Sequence, residues 1–469
     1  MLYIIVLFVY FIVLLGISLY ANKINENKSD YILGGRRLGL VTTGISAGAA
    51  DMSGWLFLGL PGAVYALGIN QAWIAIGLTL GAWVNWLLVS YNLRVFSFKT
   101  NSLTVPSFMA AHLEGDGKFI QIIASIAIMI FFTIYVTSGI TAGGVLLSTL
   151  FDISYSTGIM IALIFVVIYV LIGGYLAVAW TDLVQGIFMI FIIIAIPVAA
   201  LNAMNWDFPQ IASRALAYNP HAFNMGYHMS FLEIISLLAW GLGYVGQPHV
   251  LTRFMGIKDA NQLKKSCYIN IVWMAVGMTF AVIIGLIASA YFYKTPLADP
   301  EKAIIALGKA TSLPIIVAFI SVAILAAIVS TANAQLLVIS SSITEDLSLF
   351  TKLNKKYDML LSRVIILVVA IIAFMLSMNK NSTILSIVAY AWAGFGASFG
   401  PLIILITRGK KLSTFAGAGG IIFGAITVIA WKNLHGGLFD VYEILPGFII
   451  SFIAILVLEK IYRMRNPNN

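Results

Sequence analysis

Long apolar stretches separated by short polar connections run from one end of the chain to the other. Most reach about 18 residues or more, the length that an α-helix needs to cross a hydrocarbon core about 30 Å thick. The pattern predicts an all-α polytopic membrane protein with thirteen transmembrane helices. The predicted spans are residues 2–20, 40–67, 71–90, 119–147, 156–177, 183–204, 231–248, 267–292, 314–342, 361–377, 383–407, 412–431 and 444–458.

The second predicted span carries a carboxylate close to the middle of the bilayer. At 1.5 Å per residue, Asp51 lies about 16 Å from the start of the stretch. A charge at that depth costs roughly 3 kcal/mol on insertion scales, so it indicates a functional site. Gly48, Gly54 and Pro61 weaken the helix around it. A broken helix with an acid at this depth is typical of an ion or substrate site in a transporter. The alternative is a structural carboxylate satisfied by backbone N–H groups of the broken helix.

A second interruption lies at residues 238–248, where Gly241, Gly243, Gly246 and Pro248 disfavour a continuous helix. Five spans run from the first interrupted span up to the start of the second, and a tandem unit with an odd number of spans is inverted across the membrane. The spacing therefore predicts one transmembrane domain, residues 1–469, built on an inverted five-plus-five repeat. Its predicted parts are a first flanking helix and loop (1–39), two five-helix repeats (40–204 and 231–407) and two last flanking helices (412–469).

The charges predict the orientation of the chain. Net charge is +9, but the 27 Lys and Arg residues are spread over short connections. This distribution excludes a nucleic-acid-binding patch and sets topology instead, because cytoplasmic loops carry the Lys and Arg excess. The N-terminus is expected outside and the C-terminus inside. The six basic residues on the outer side are then Arg214, Lys294, Lys302, Lys309, Lys380 and Lys432.

Three residues of the ninth span share one helix face. Ala327, Ser330 and Thr331 stand at positions i, i+3 and i+4. Two hydroxyls, one carbonyl and the carbonyls freed at Ala49 and Met52 by the broken second span would make five oxygens suited to Na+. The alternative is that each hydroxyl bonds back to the preceding turn of its own helix.

Aromatic side chains lie near both interruptions: Trp55, Tyr135, Trp240 and Tyr244. They would wall a small pocket in which Tyr hydroxyls and Trp N–H groups supply polar contacts, or else pack as ordinary core residues.

Charged residues elsewhere in the spans receive structural interpretations. Asp51 is expected to be the only acid deep in any span, with no Lys or Arg at a similar depth. Asp182 reads as a cap or first-turn acid at the cytoplasmic start of the sixth span. Glu345 and Asp346 are interpreted as solvated helix ends.

No nucleophile–base arrangement is present, so the chain is not expected to be an enzyme.

Several ordered motifs resemble the sodium:solute symporter family and, within it, the bacterial sodium/proline symporters. They run from the first loop to the ninth span, and the later spans match mainly in number and spacing. The motifs are residues 31–36 (YILGGR), 46–55 (SAGAADMSGW), 58–64 (LGLPGAV), 131–135 (FFTIY), 180–182 (WTD), 240–249 (WGLGYVGQPH), 330–331 (ST), 335–338 (QLLV) and 343–346 (ITED).

The resemblance implies a leucine-transporter-like fold and gives roles to residues that match the motifs. Na+ is implied between the first and eighth helices of the repeats, on the carbonyls of Ala49, Met52 and Ala327 and the hydroxyls of Ser330 and Thr331. Three residues are implied in ion coupling: Asp51, Ser53 and Asp182, the last in Na+ release. The implied proline pocket comprises Ser53, Gly54, Trp55, Gly59, Tyr135, Trp240, Tyr244 and Pro248.

The function hypothesis is Na+-coupled uptake of L-proline by alternating access in a bacterial inner membrane. Its partners would be L-proline or a similar small solute, Na+ and the lipid bilayer, with no nucleic acid, and a monomer would suffice. A symporter of the same fold for pantothenate, a sugar, sialic acid or another amino acid is the main alternative. Coupling to H+, a channel and a signalling sensor are further ones.

Overall fold

The computed structural model describes residues 2–24, 26–170, 174–227, 229–347, 355–379 and 382–466, and these residues are almost entirely helical. Two short strands, β1 (Leu113–Glu114) and β2 (Leu412–Ser413), form one parallel pair. The α-helices are α1 (Leu2–Ile24), α2 (Lys28–Leu33), α3 (Leu40–Ala49), α4 (Leu60–Leu67), α5 (Ala72–Asn85), α6 (Tyr91–Lys99), α7 (Val105–His112), α8 (Gly117–Phe151), α9 (Tyr155–Val170), α10 (Tyr175–Ala203), α11 (Phe208–Tyr218), α12 (Phe231–Leu238), α13 (Pro248–Gly256), α14 (Leu263–Tyr291), α15 (Ala303–Thr311), α16 (Pro314–Ser342), α17 (Lys355–Ser377), α18 (Ile384–Thr407), α19 (Thr414–Trp431) and α20 (Ile444–Arg465).

Within the described ranges, nine helical stretches are long and apolar enough to span a membrane, and a bent pair makes a tenth. The remaining predicted spans correspond to shorter apolar helices, Leu40–Ala49, Trp55–Leu67, Tyr155–Val167 and Arg363–Ser377. A multi-pass all-α protein is therefore confirmed, whereas the count of thirteen stays a prediction. Residues 171–173 of the predicted fifth span and Lys380 lie outside the described residues.

The first predicted interruption lies between α3 and α4. Helix α3 ends at Ala49, and the chain resumes as a π-helical segment at Trp55–Gly59. Between them the amide of Ser53 bonds to the carbonyl of Asp51, two residues back, at 3.0 Å. This spacing is not helical, so local carbonyls are released from the regular i→i−4 pattern.

The second predicted interruption lies between α12 and α13. A 3-10 segment at Ala239–Gly246 joins them. The chain bends by 47° between Phe231–Gly246 and Pro248–Gly256. Pro248 is the first residue of α13, where its missing N–H costs nothing because that position has no intrahelical acceptor.

The glycines of this segment allow close backbone contact. A Cβ on Gly81 of α5 would lie 2.2 Å from the Cα of Gly241, and one on Gly243 would lie 1.9 Å from Nε1 of Trp392. Both positions therefore exclude any side chain, and the second break is held tightly between α5 and α18.

Candidate functional site

Three of the five oxygens predicted to bind Na+ lie together. The hydroxyl of Ser330 on α16 is 2.9 Å from the carbonyl oxygen of Ala49, the last residue of α3, and 3.1 Å from the carbonyl of Ala327. Ser330 thus both bonds back to its own helix and reaches across to the broken one. All three residues are fully buried. Oxygen groups from two helices are the ligands that a hard cation takes.

The other two predicted ion ligands are also buried. Thr331 is 2% exposed, and its Oγ1 has no hydrogen-bond partner within the described part of the chain. Met52 is fully buried in the unwound stretch. A buried hydroxyl without a partner loses its hydration without replacement, so Thr331 is available to an incoming ligand.

Asp51 is fully buried and its two carboxylate oxygens differ in their surroundings. Oδ2 accepts a hydrogen bond from the hydroxyl of Tyr244, whereas Oδ1 has no partner among the residues described. The backbone carbonyl of Asp51 accepts from Nε1 of Trp55 at 3.2 Å and from the hydroxyl of Tyr135 at 3.1 Å. A tyrosine of the second break therefore holds one carboxylate oxygen of Asp51, and the other carboxylate oxygen, Oδ1, is left without a partner among these residues.

The four predicted aromatic residues are buried, and three of them, Trp55, Tyr135 and Tyr244, donate hydrogen bonds to Asp51. Trp55, Tyr135, Trp240 and Tyr244 are each at most 5% exposed. Trp392 of α18, which sequence reasoning missed, joins them: its ring lies edge-on to Tyr244 at 5.0 Å, and its Nε1 donates to the carbonyl of Trp240 at 2.6 Å. Their burial encloses the polar centre, so the carboxylate of Asp51 is sealed from solvent.

The remaining pocket residues of the prediction occupy the two breaks. The Oγ of Ser53 accepts a 3.5 Å contact from the amide of Trp55. A Cβ on Gly54 would lie 2.4 Å from the Cβ of Ala142, so Gly54 permits close approach of α8. Gly59 ends the π-helical segment, and Pro248 begins α13.

Asp182 departs from the sequence interpretation. It lies inside α10 rather than at a helix start, is fully buried, and binds Nη2 of Arg253 through Oδ2 at 2.8 Å. Arg253 in α13 is 1% exposed and stands 4.8 Å from the ring centre of Tyr175. The prediction of a cap was therefore wrong. Asp182 is a second buried acid and Arg253 a buried cation outside the predicted spans, whereas the depth of Asp51 in the bilayer stays a prediction. A helix beginning at Tyr175 replaces the predicted start at residue 183.

Asp346 was also misassigned as solvated. It is fully buried, and both its carboxylate oxygens lie about 3 Å from the hydroxyl of Thr104, at 2.9 and 3.0 Å. Its neighbour Glu345 is partly exposed and forms an ion pair with Lys28 at 2.5 Å. Hydrogen bonding from a residue 242 positions away is invisible in the local sequence.

Glu301 links the connection between α14 and α15 to the start of α18. Its Oε1 accepts from the amide of Ile384 at 2.7 Å, and its own amide is capped by Asp299 at 3.0 Å. Burial raises the pKa of Glu301 from an ordinary 4.5 to about 7, although the Ile384 hydrogen bond opposes the shift. The connection between α14 and α15 is thus tied to α18 by a carboxylate whose pKa is raised to about 7.

We expect the Glu301 carboxylate to make stability fall as pH rises. Because the folded protein keeps this proton to a higher pH than the unfolded chain, the group stabilises the fold fully below about pH 4.5, and this contribution is lost by about pH 7. Glu301→Gln keeps an acceptor for Ile384 without the titration. Between about pH 5 and 8 the melting temperature of the wild type should fall by about 1–3 °C more than that of Glu301→Gln. The exposed Glu26→Gln is the control; equal pH profiles for all three proteins would contradict the assignment.

Over nearly its whole length the chain is similar to known membrane transporters. A sequence profile of the sodium:solute symporter family matches residues 31–424. The chain is 45% identical to the high-affinity proline transporter PutP of Bacillus subtilis (strain 168), covering 94% of each protein. It is 41% identical to a sodium/proline symporter of Staphylococcus aureus (strain JH9), covering 97% of this chain and 91% of the relative.

Its three-dimensional structure resembles that of a Na+-coupled sialic acid symporter solved in a substrate-bound, outward-open state. The TM-score is 0.81 at 19% identity, with 98% of each chain covered. This likeness establishes the fold, and the expected leucine-transporter-like all-α architecture is confirmed.

Proposed function

The chain belongs to the sodium:solute symporter family, and on that premise we propose that it takes up L-proline together with Na+ by alternating access. Membership makes it a multi-pass membrane transporter coupled to Na+ rather than an enzyme. The proline transporters among its relatives support L-proline as the solute. The proposed setting is a bacterial inner membrane, with a monomer sufficient for transport.

The observation that carries the proposal is the position of the Ser330 hydroxyl between the carbonyls of Ala49 and Ala327. Na+ arriving there would bind these oxygens with the Thr331 hydroxyl and the Met52 carbonyl, and would join α3 to α16. The unwound stretch between α3 and the π-helical segment would stiffen, which shapes the adjoining solute pocket. Solute and ion then bind with a shared coupling free energy, so each raises the affinity of the other by the same factor.

The finer architecture enters as part of the same proposal. Thirteen spans with the N-terminus outside and the C-terminus inside would contain the two inverted repeats at residues 40–204 and 231–407. The solute would pack against Trp55, Tyr135, Trp240 and Tyr244, beside Ser53, Gly54, Gly59 and Pro248. Its carboxylate would face amide groups freed at a half-helix start. On the cytoplasmic side, Asp182 would take part in Na+ release once its pair with Arg253 separates.

A binding titration tests this function most directly. Purified protein should bind radiolabelled L-proline with an affinity that rises with Na+ and not with K+. Competition by unlabelled pantothenate, sialic acid, sugars and other amino acids separates proline from the alternative solutes. Uptake at fixed pH with and without Na+ separates Na+ from H+ coupling. Proline binding that is independent of Na+ would contradict the proposal.

Substitutions on α16 should change the sodium requirement selectively. Removing the hydroxyl in Ser330→Ala or Thr331→Ala takes one proposed ligand from the ion, and we expect the Na+ concentration for half-maximal uptake to rise about tenfold or more in each. Ser321→Ala is the matched control, because Ser321 is a buried serine of the same helix whose hydroxyl donates to the carbonyl of Val317, one turn earlier in that helix. Sodium dependence equal to the wild type in both site variants would remove these hydroxyls from the ion site.

A further inference from the structure

The second break contributes a residue that the proposed site has not used. His249 is the second residue of α13 and is fully buried. Neither of its ring nitrogens has a hydrogen-bond partner in the described portion of the chain. Its Nε2 lies 3.9 Å from Oδ1 of Asp51. That oxygen also has no partner there. Two polar groups without partners thus face each other inside the protein, an arrangement that costs free energy unless a ligand satisfies it.

The separation fits a single bridging atom better than a direct contact. A hydrogen bond between nitrogen and oxygen spans about 2.7–3.2 Å, so 3.9 Å is too long for one. The imidazole is held by the ring edges of Phe132 at 5.4 Å and Tyr135 at 6.1 Å. Asp51 is held through its other oxygen by Tyr244. Both groups are therefore fixed from the side, and one donor atom placed beside them at hydrogen-bond distance would contact both.

The chemistry of these two groups favours an ammonium group as their shared partner. A carboxylate oxygen is an acceptor, and a neutral imidazole supplies one acceptor nitrogen. A hard cation such as Na+ takes oxygen ligands, which the Ala49, Ala327 and Ser330 cluster offers and an imidazole among aromatic rings does not. A secondary ammonium carries two N–H donors and one positive charge. It therefore matches the two acceptors here, the charged carboxylate of Asp51 and the neutral imidazole of His249. Aromatic rings around it add favourable cation–π contacts.

We infer that Asp51 and His249 form the subsite that binds the ammonium group of the transported solute, an inference that rests on the proposed uptake of L-proline. The carboxylate of Asp51 then acts on the solute, while backbone carbonyls of the same stretch act on the ion. One short unwound segment holds both ligands, which gives their coupling a direct structural basis. His249 is a specificity-determining residue because it requires the second N–H.

Proline analogues with fewer N–H groups test the subsite. L-proline carries two N–H donors, N-methyl-L-proline one, and tetrahydrofuran-2-carboxylate none. Inhibition constants against Na+-driven uptake of radiolabelled L-proline are measured in proteoliposomes for the wild type, His249→Phe and His249→Gln. Phe keeps an aromatic ring without acceptors, and Gln restores an acceptor oxygen near the position of Nε2.

In the wild type, N-methyl-L-proline should bind at least tenfold more weakly than L-proline, and tetrahydrofuran-2-carboxylate should bind more weakly still. His249→Phe should weaken L-proline about tenfold and N-methyl-L-proline less than about twofold, so the preference collapses. His249→Gln should restore most of it. Equal weakening of both compounds in His249→Phe would overturn the subsite and leave a packing role for the ring.

Two outcomes keep the inference separate from the proposed function. In the first, the wild type takes up proline in a Na+-dependent manner but discriminates less than twofold between L-proline and N-methyl-L-proline. This result overturns the subsite alone, whatever the variants do. A wild type without Na+-dependent proline uptake overturns the proposed function, and with it this inference.

Discussion

Asp51→Asn should lower Na+-driven proline uptake at least about 100-fold in proteoliposomes that contain equal amounts of protein. The substitution preserves shape but removes the charge that accepts from Tyr244 and that the solute ammonium would meet. Hydrogen bonds to a charged group contribute about 1.5–3 kcal/mol each, and every 1.4 kcal/mol is a factor of ten. The measurement is initial uptake at a Na+ concentration below saturation.

Asp152→Asn provides the control for this experiment. Asp152 is exposed at the end of α8, in a left-handed backbone conformation that asparagine also adopts readily. Its removal alters net charge by the same amount and should leave uptake within about twofold of the wild type. Near-normal uptake by Asp51→Asn would show that the buried carboxylate is structural.

The second large effect concerns the buried pair of Asp182 and Arg253. Arg253→Leu leaves an uncompensated carboxylate in a fully buried position, and breaking such a pair costs about 3–5 kcal/mol. The variant should lose that much unfolding free energy, seen as a clear drop in melting temperature in detergent. The double variant Asp182→Asn with Arg253→Leu removes the stranded charge and should recover a large part of the loss.

Lys302→Met is the comparison for a pair exposed to solvent. Lys302 and Asp299 are separated by 3.9 Å, and their side chains are 42% and 40% exposed. Such pairs contribute about 0–1 kcal/mol, so this variant should melt close to the wild type.

If the double variant Asp182→Asn with Arg253→Leu were less stable than Arg253→Leu alone, the stranded charge of Asp182 would not be the cause of the loss.

Features set by neighbouring residues were predictable from the sequence. Both interruptions follow from glycine and proline close together in apolar stretches, and the structure has them at residues 50–54 and 239–246. The alignment of Ala327 with Ser330 follows from helical periodicity alone. The approach of Ser330 to Ala49 needed one further step, the pairing of a broken helix with a hydroxyl-bearing one, which the resemblance to a family supplied.

Features set by residues distant in sequence were not predictable. Asp182 meets Arg253 across 71 positions, and Asp346 meets Thr104 across 242. Read locally, an acid beside a polar cluster suggests a helix end, because nothing nearby indicates the cation or hydroxyl that will accompany it into the interior. Trp392 was not identified for the same reason, because its partners Trp240 and Tyr244 lie on another helical segment. The position of His249 beside Asp51 likewise depends on residues far apart in the sequence.

The two groups of contacts around the unwound segment lie on different partners. The carbonyl oxygen of Ala49 at its start contacts Ser330 of α16, whereas the side chain of Asp51 bonds to Tyr244 and faces His249. On the proposed assignment of these two groups, exchange of residues at the second break would redirect the carrier to a new cargo while its driving ion stays the same. A scaffold divided in this way is suited to diversification, since a new nutrient can be acquired without rebuilding the machinery that powers its accumulation.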